Sequence, residues 1–139
     1  MQKPIEALTG YTLEPRLRVF AGRQLVIGTG KIMLLKLIAE TGSISEAARR
    51  MRISYNHAWT MLRLMNDSFR ESLVEKTRGG KEKGGAKLTA TGEEVLALYG
   101  EMVAESARAI VPQWQRLQDM LHDASELPAE PEVDSHGEE

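Results

Sequence analysis

Hydrophobic and polar residues alternate early in the chain. The apolar positions lie on either side of the short segment 21–23, at Leu17, Val19, Leu25 and Ile27. Successive side chains of a strand point to opposite faces, and a short glycine-containing connection joins antiparallel strands. The pattern predicts a β-hairpin over residues 13–27, with Ala21-Gly22-Arg23 as its turn. Residues 1–12 show no such pattern and are predicted to be an N-terminal arm.

A helical period begins after this alternation. One apolar stripe follows Gly30, formed by Ile32, Leu34, Leu35, Ile38 and Ala39. Gly42 is typical of a helix end. Ser43 and Glu46 then have the spacing of a capping box, in which the Ser and Glu side chains satisfy free amides of the next helix. That second helix is predicted from Ile44 to about Met51, with two central alanines where another helix crosses closely.

A third helix is predicted from the capping residue Ser54 to about Phe69. Its apolar positions recur at spacings of four, three and four residues, at Ala58, Leu62, Met65 and Phe69. Such a stripe is typical of a helix with one buried face. A helix, a short helix, the turn at Arg52-Ile53 and a capped helix together have the pattern of a helix-turn-helix.

A second hairpin is predicted directly after the third helix. Residues 74–78 and 86–89 form its short strands, and residues 79–85 form a connection with four glycines and two lysines. A hairpin in this position is the wing of a winged helix-turn-helix. A long helix follows to Leu121, capped by Thr89 or by Thr91 with Glu94. Its stripe is Val95, Tyr99, Met102, Ser106, Ile110, Trp114, Leu117 and Leu121. Pro112 is expected to kink or divide it.

The predicted fold class is therefore mainly α with small β-hairpins. It consists of a winged helix-turn-helix, an N-terminal hairpin and a long C-terminal dimerisation helix, all within residues 13–122. Residues 123–139 carry seven Asp and Glu but no Lys or Arg and are predicted to be a disordered tail. The net charge of −2 hides this division, since residues 1–122 hold 18 Lys and Arg against 13 Asp and Glu. The predicted domain is basic, as contact with phosphates requires.

Several function classes find no support in the sequence. The chain has no cysteine, and its three histidines are too far apart for a helical metal pair. Gly28-Thr29-Gly30-Lys31 lacks both the earlier glycine and the following Ser or Thr of a nucleotide-binding loop. No nucleophile and base are suitably placed, so we expect no enzyme, no metal and no cofactor. No secretory leader or membrane span is recognisable, so we expect a cytoplasmic protein.

The third helix is the main candidate for DNA contact. If its apolar stripe faces the core, Tyr55, Asn56, Trp59, Thr60 and Arg63 face outward or sideways. A helix fits the major groove, where Asn pairs with adenine and Arg with guanine. His57 belongs to the same group, and Ser54 at the helix start favours a phosphate. In the competing interpretation, Tyr55 and Trp59 are partly buried packing residues.

The wing is the second candidate. Its basic side chains are expected to reach phosphates or the minor groove, and its glycines let the backbone approach closely. These side chains are Lys76, Arg78, Lys81, Lys83 and Lys87. Taken alone, the segment fits a solvated hairpin better; its position directly after a helix-turn-helix favours DNA.

Three stretches carry a resemblance to the DNA-binding domain of the molybdate-responsive ModE family, itself similar to LysR-type winged helix domains. They are GTGKIMLLKLIAETGSIS, GSISEAARRMRISYNHAWTMLRLMN and LVEKTRGGKEKGGAKLTATG. The resemblance implies that Ser43, Ser54, Tyr55, Asn56 and His57 lie at or near the DNA face, flanked by the wing. It also implies that the hairpin and the long helix form a dimer interface. ModE regulators carry a C-terminal oxyanion-binding region where this chain has an acidic segment, so we expect no molybdate sensing.

The sequence thus predicts a homodimeric regulator of transcription that binds double-stranded DNA. The alternative is a protein–protein interaction module that pairs with full-length ModE-like or LysR-like regulators. Salt-dependent binding to duplex DNA distinguishes the two, because only a DNA binder releases the counterions of the phosphates.

Overall fold

The computed structural model describes residues 5–6, 10–77 and 85–129 of the 139-residue chain. Its strands are β1 (Ile5–Glu6), β2 (Thr12–Leu13), β3 (Val19–Ala21), β4 (Gln24–Ile27), β5 (Val74–Lys76) and β6 (Ala86–Leu88). Its helices are α1 (Thr29–Thr41), α2 (Ile44–Met51), α3 (Tyr55–Ser68), α4 (Ala90–Ala109) and α5 (Val111–Gln118), followed by a 3-10 turn at Ala124–Glu126. Each strand pairs with its sequence neighbour, so the described strands form three antiparallel hairpins. The predicted fold class is confirmed.

The N-terminal hairpin is shorter than the sequence predicted. β3 and β4 pair around Gly22, whose φ of 61° suits a tight turn. β2 pairs instead with β1, with Leu13 opposite Ile5. Pro15 lies between the two hairpins and has no amide to donate to a strand ladder. The boundary predicted at residue 12 therefore falls inside a strand, and the predicted arm contains β1.

The helix caps explain why three short helices form in succession. Gly42, with φ of 67°, ends α1, and its amide donates to the Ile38 carbonyl. The Ser43 hydroxyl accepts from the Glu46 amide at 3.1 Å, which confirms half of the predicted capping box. The Glu46 carboxylate does not reach back, because Arg49 and Arg50 hold it along α2.

The core lies between α1, α2 and α3 and is closed by the base of the wing. Its fully buried large side chains are Leu34, Leu35, Ile38, Ile44, Leu62, Met65 and Leu73. Ala47 and Ala48 are buried as well, as expected where helices cross closely. The predicted stripe of α1 is wrong at one position, since Ala39 is exposed near the helix end.

The wing is joined to the helices by backbone hydrogen bonds. β5 and β6 pair with Val74 opposite Leu88, and the Thr77 amide donates to the Gly85 carbonyl. β6 also extends toward the turn between α1 and α2, where the Ala86 amide donates to the Gly42 carbonyl at 2.9 Å. The base of the wing is therefore continuous with the helix-turn-helix.

The long C-terminal helix is divided, as Pro112 predicts. α4 ends at Ala109, and Pro112 occupies the first turn of α5, where a missing amide costs nothing. Thr89 caps α4 by accepting from the Gly92 amide at 3.0 Å. Thr91 does not cap it; its hydroxyl donates to the Glu71 carboxylate.

The segment before β3 lies against the C-terminal helices. The Tyr99 hydroxyl donates to the Leu17 carbonyl at 2.9 Å, and the Tyr11 hydroxyl donates to the His122 carbonyl at 2.6 Å. Residues 123–129, predicted as part of the tail, begin with the 3-10 turn, whose amide at Ser125 is capped by Asp123. Within the described residues, no helix is long and apolar enough to cross a membrane.

Candidate nucleic-acid interface

The third helix presents a polar face opposite its buried stripe. Ser54 caps it by accepting the His57 amide at 3.0 Å, so the helix begins at Tyr55. Ala58, Leu62 and Met65 are buried, as predicted. The exposed residues on the first three turns are Tyr55, Asn56, His57, Thr60 and Arg63.

Two side chains of this face are free to recognise a partner. Neither the Asn56 amide group nor the Arg63 guanidinium has a hydrogen bond or ion pair to any described residue. The Thr60 hydroxyl donates to the Asn56 carbonyl at 2.9 Å, which leaves its oxygen able only to accept. Asn56 and Arg63 thus offer the donor and acceptor sets that read base edges.

Tyr55, Trp59 and Lys76 form one contact cluster between α3 and the wing. The Trp59 indole N–H donates to the Tyr55 hydroxyl at 2.7 Å, and the rings meet edge to face. The Lys76 ammonium lies 4.6 Å from the centroid of the Trp59 ring. Trp59 is half-buried and also packs against the core, so it has the packing role that the competing interpretation gave it. We call these three residues the aromatic–lysine cluster.

Asn66 is a residue that sequence reasoning missed. Its side-chain oxygen accepts from the Leu73 amide at 2.8 Å and from the Val74 amide at 3.3 Å, and its amide group donates to the Val74 carbonyl. One side chain of α3 therefore fixes the start of β5. The available signal was a polar residue next to the buried Met65, on the last turns of the helix that precedes the wing.

The structure distributes the other predicted residues unevenly. Lys76 and Lys87 are exposed on the wing strands, and Lys87 is paired with Glu75 at 3.3 Å. Arg78, Lys81 and Lys83 lie outside the described residues. Ser43 is only 5% exposed, and its hydroxyl is occupied by its capping bond. Its side chain is thus part of the scaffold beneath the candidate face.

Some other charges near the helix-turn-helix are already engaged. Hydrogen bonding from Arg49 lowers the pKa of Glu46 to about 2, with Arg50 adding to the effect. The Lys31 ammonium donates to the Leu25 carbonyl at 2.7 Å, and burial lowers its pKa. Lys31 is therefore tied back to β4 at the start of α1. No cluster of three or more His, Cys, Asp or Glu suited to a metal occurs among the described residues.

The sequence of this chain is similar to those of known bacterial proteins. Residues 30–93 match the sequence model of the family described as bacterial regulatory helix-turn-helix protein, lysR family. Transcriptional regulator ModE of Yersinia pestis is 44% identical over 63% of this chain and 31% of its own length. Molybdenum-pterin-binding protein MopB of Rhodobacter capsulatus is 40% identical over 60% of this chain and 31% of its own length. The chain thus spans about a third of these relatives.

Part of the chain also aligns with a solved structure. A crystal structure of BenM_DBD with catB site 1 DNA aligns with 67% of this chain and 97% of that chain. The identity is 17% and the TM-score is 0.45.

Proposed function

We propose that this chain is a transcriptional regulator that binds double-stranded DNA as a homodimer in the cytoplasm, because residues 30–93 match the model of the lysR-family helix-turn-helix proteins and ModE regulators are among its relatives. The observation that carries the proposal is the exposed face of α3. It presents Asn56 and Arg63, whose side chains have no hydrogen bond or ion pair to any described residue, above a closed core and beside the wing. The proposed role is binding without catalysis.

In the proposed complex, α3 lies in the major groove. Asn56 and Arg63 contact base edges, since amide and guanidinium groups pair with adenine and guanine through two hydrogen bonds. Ser54 and the wing lysines contact the phosphate backbone, which fixes the orientation without reading sequence. Arg78, Lys81 and Lys83 are assigned to this second group by their charge and their place in the sequence.

The C-terminal helices support the homodimer. Several large apolar side chains of α4, of α5 and of the residue between them are between 39% and 51% exposed in the single chain: Leu98, Met102, Ile110 and Leu117. A second copy related by a two-fold axis covers such a face with the same face. Two-fold symmetry would also place two α3 helices about one turn of DNA, or a multiple of it, apart.

Selection of bound sequences from random duplexes tests the proposal directly. We expect enrichment of a two-fold symmetric site and affinity that falls steeply with salt. Arg63→Ala should cost about 1–3 kcal/mol and relax preference at one base pair. Arg116→Ala is the matched control, because it removes the same charge from an exposed position of α5.

Three results would contradict the proposal. Absence of any duplex binding would favour the interaction-module alternative, in which the domain pairs with another regulator. Equal losses for the Arg63 and Arg116 variants on selected and random DNA would remove the role of α3. A monomer in light scattering at micromolar concentration would remove the proposed dimer.

A further inference from the structure

We propose that the aromatic–lysine cluster is a clamp for one phosphate of the DNA backbone. In it, Tyr55 and Lys76 contact the phosphate, and Trp59 is a positioning residue that acts through both. The inference rests on the proposed function and deepens it, because it separates the roles of three neighbouring side chains.

The hydrogen bond between the two aromatic residues fixes the direction of the Tyr55 hydroxyl. A phenol oxygen both donates and accepts, whereas an indole N–H only donates. The Trp59 N–H occupies the acceptor side of the Tyr55 oxygen at 2.7 Å. No described residue accepts the hydroxyl proton. Tyr55, 38% exposed on the first turn of α3, is thus held as a donor for an acceptor outside the described residues.

Lys76 supplies a positive charge beside this donor. Its ammonium lies over the Trp59 ring at 4.6 Å from the centroid, a geometry in which cation and ring attract. Within the described residues no carboxylate pairs with it, since the adjacent Glu75 is paired with Lys87. The ring also restricts a flexible side chain, so less conformational entropy is lost when the ammonium meets an anion.

The three groups reinforce one another electrically. A cation on the indole face draws electron density from the ring and makes its N–H a stronger donor. Donation into the Tyr55 oxygen in turn makes the Tyr55 hydroxyl a stronger hydrogen-bond donor, because linked hydrogen bonds polarise one another. The positive end of the α3 dipole lies at the same place. All these effects favour an anion with acceptor oxygens, and none of them discriminates between bases.

A phosphate contact predicts a pattern that a base contact does not produce. Tyr55→Phe should weaken binding about tenfold on selected and random duplexes alike, since it removes one hydrogen bond to a charged group. Its salt slope should stay unchanged, because a neutral hydroxyl releases no counterion. Lys76→Met should lower the slope by about one unit. Tyr11→Phe is the matched control, since it removes a hydroxyl bonded to the His122 carbonyl instead.

The positioning role of Trp59 is tested by a double-mutant cycle. Trp59→Phe should weaken binding about threefold, because the undirected hydroxyl keeps part of its hydrogen bond. Combined with Tyr55→Phe, it should add almost nothing. Because Trp59 also packs on the core, 3-benzothienylalanine at position 59 should repeat the result; it keeps the ring shape and lacks only the N–H. Without DNA, Tyr55→Phe should shift one of the two indole N–H resonances in an NMR spectrum.

The outcomes separate the clamp from the proposed function. If the wild-type chain binds no duplex, the proposed function and the clamp both fall. If it binds and Tyr55→Phe binds equally well, the clamp alone is overturned. Additive losses in the cycle, or an unshifted indole resonance, would show that Trp59 does not act through Tyr55. A loss confined to one DNA sequence would make Tyr55 a base contact.

Discussion

The helix-turn-helix and the C-terminal helices bury their apolar faces to very different degrees. In α1 and α3, Leu35, Ile38 and Met65 have no exposed surface at all. In α4 and α5, Met102 and Leu117 are each 51% exposed, and Trp114 is the one large apolar side chain that the described residues bury. Both regions have the same three- and four-residue spacing in sequence. Periodicity therefore identifies the face of a helix, while the structure decides whether the same chain covers it.

The helix-turn-helix covers its apolar side chains within one chain, whereas the C-terminal helices leave much of theirs exposed. Three helices and the wing base enclose the first core. α4 packs against that core with Val95, Leu96 and Tyr99, and the Tyr99 hydroxyl donates to the Leu17 carbonyl, but its apolar stripe stays partly exposed. Burial supplies most of the free energy of folding, so the two regions should respond differently to loss of apolar side chains.

The largest expected effect comes from one matched pair of truncations. Leu62→Ala should lower the free energy of unfolding by about 2–5 kcal/mol, because a buried leucine leaves a cavity. The loss should be the same at all protein concentrations. Leu117→Ala should cost under about 0.5 kcal/mol in dilute protein, as surface substitutions do, and more as dimers form.

Urea titration at low and high protein concentration measures both variants. An equal, concentration-independent loss for Leu117→Ala would break the comparison, since Leu117 would then be covered within its own chain.

Two glycines of α4 show where this helix packs tightly against the helix-turn-helix core and where it does not. A Cβ at Gly92 would overlap the Leu73 carbonyl, whereas one at Gly100 meets nothing within 4 Å. Gly92→Ala should therefore destabilise by about 1–3 kcal/mol through overpacking. Gly100→Ala should stabilise by up to about 1 kcal/mol, the helix-propensity difference. Thermal unfolding of both variants checks this, and a stabilised Gly92 variant would contradict the close approach of α4 to the wing base.

A smaller effect is expected where the N-terminal segment meets the helices. Tyr99→Phe removes the hydroxyl that donates to the half-buried Leu17 carbonyl and should cost about 1 kcal/mol. Tyr11→Phe should cost less, because water replaces its exposed bond to His122. Urea unfolding gives both values. The reverse ranking would mean that the contact of Tyr11 with His122, and not the contact of Tyr99 with Leu17, holds the segment in place.

The smallest expected effect lies in the helix-turn-helix and depends on pH. The pKa of Glu46 is about 2, below its ordinary value, so its bonds stabilise α2 fully above pH 5 and are lost as pH falls toward 2. The Arg49 side chain is exposed and the Glu46 side chain is 34% exposed, so water screens the pair and its contribution is small. The melting temperatures of wild type and Glu46→Gln should differ slightly at pH 7 and converge in acid. A difference that grows in acid would reverse the sign and contradict the lowered pKa.

Local signals in the sequence predicted most of the fold. These signals are the caps at Ser43 and Ser54, the glycine at position 42 and the proline at position 112. Each acts on residues close to it in sequence, so its effect can be predicted without the tertiary structure. Contacts between distant segments were not predicted. The pairing of Leu13 with Ile5, the bond from Thr91 to Glu71 and the burial of Ser43 all depend on how elements pack.

The exposed residues of the candidate face were predicted better than the contacts that hold α3 against the wing. Helical spacing placed Asn56, Thr60 and Arg63 on the surface, as the structure has them. Spacing within α3 does not reveal that Asn66 holds the first strand of the wing, or that Lys76 lies on Trp59. Those contacts join α3 to the start of the wing. They depend on the path of the chain between helix and strand, which helical spacing does not predict.

The hydrogen bond from Ala86 to Gly42 also constrains the order of folding. It joins two segments far apart along the chain, so its loop-closure entropy must be recovered from contacts of the intervening helices. The base of the wing should therefore form late, after α1 and α2 have docked. Once formed, the Ala86 amide should exchange with deuterium only when the whole domain opens. The base of the proposed DNA-contacting wing would then open no faster than the core beneath it.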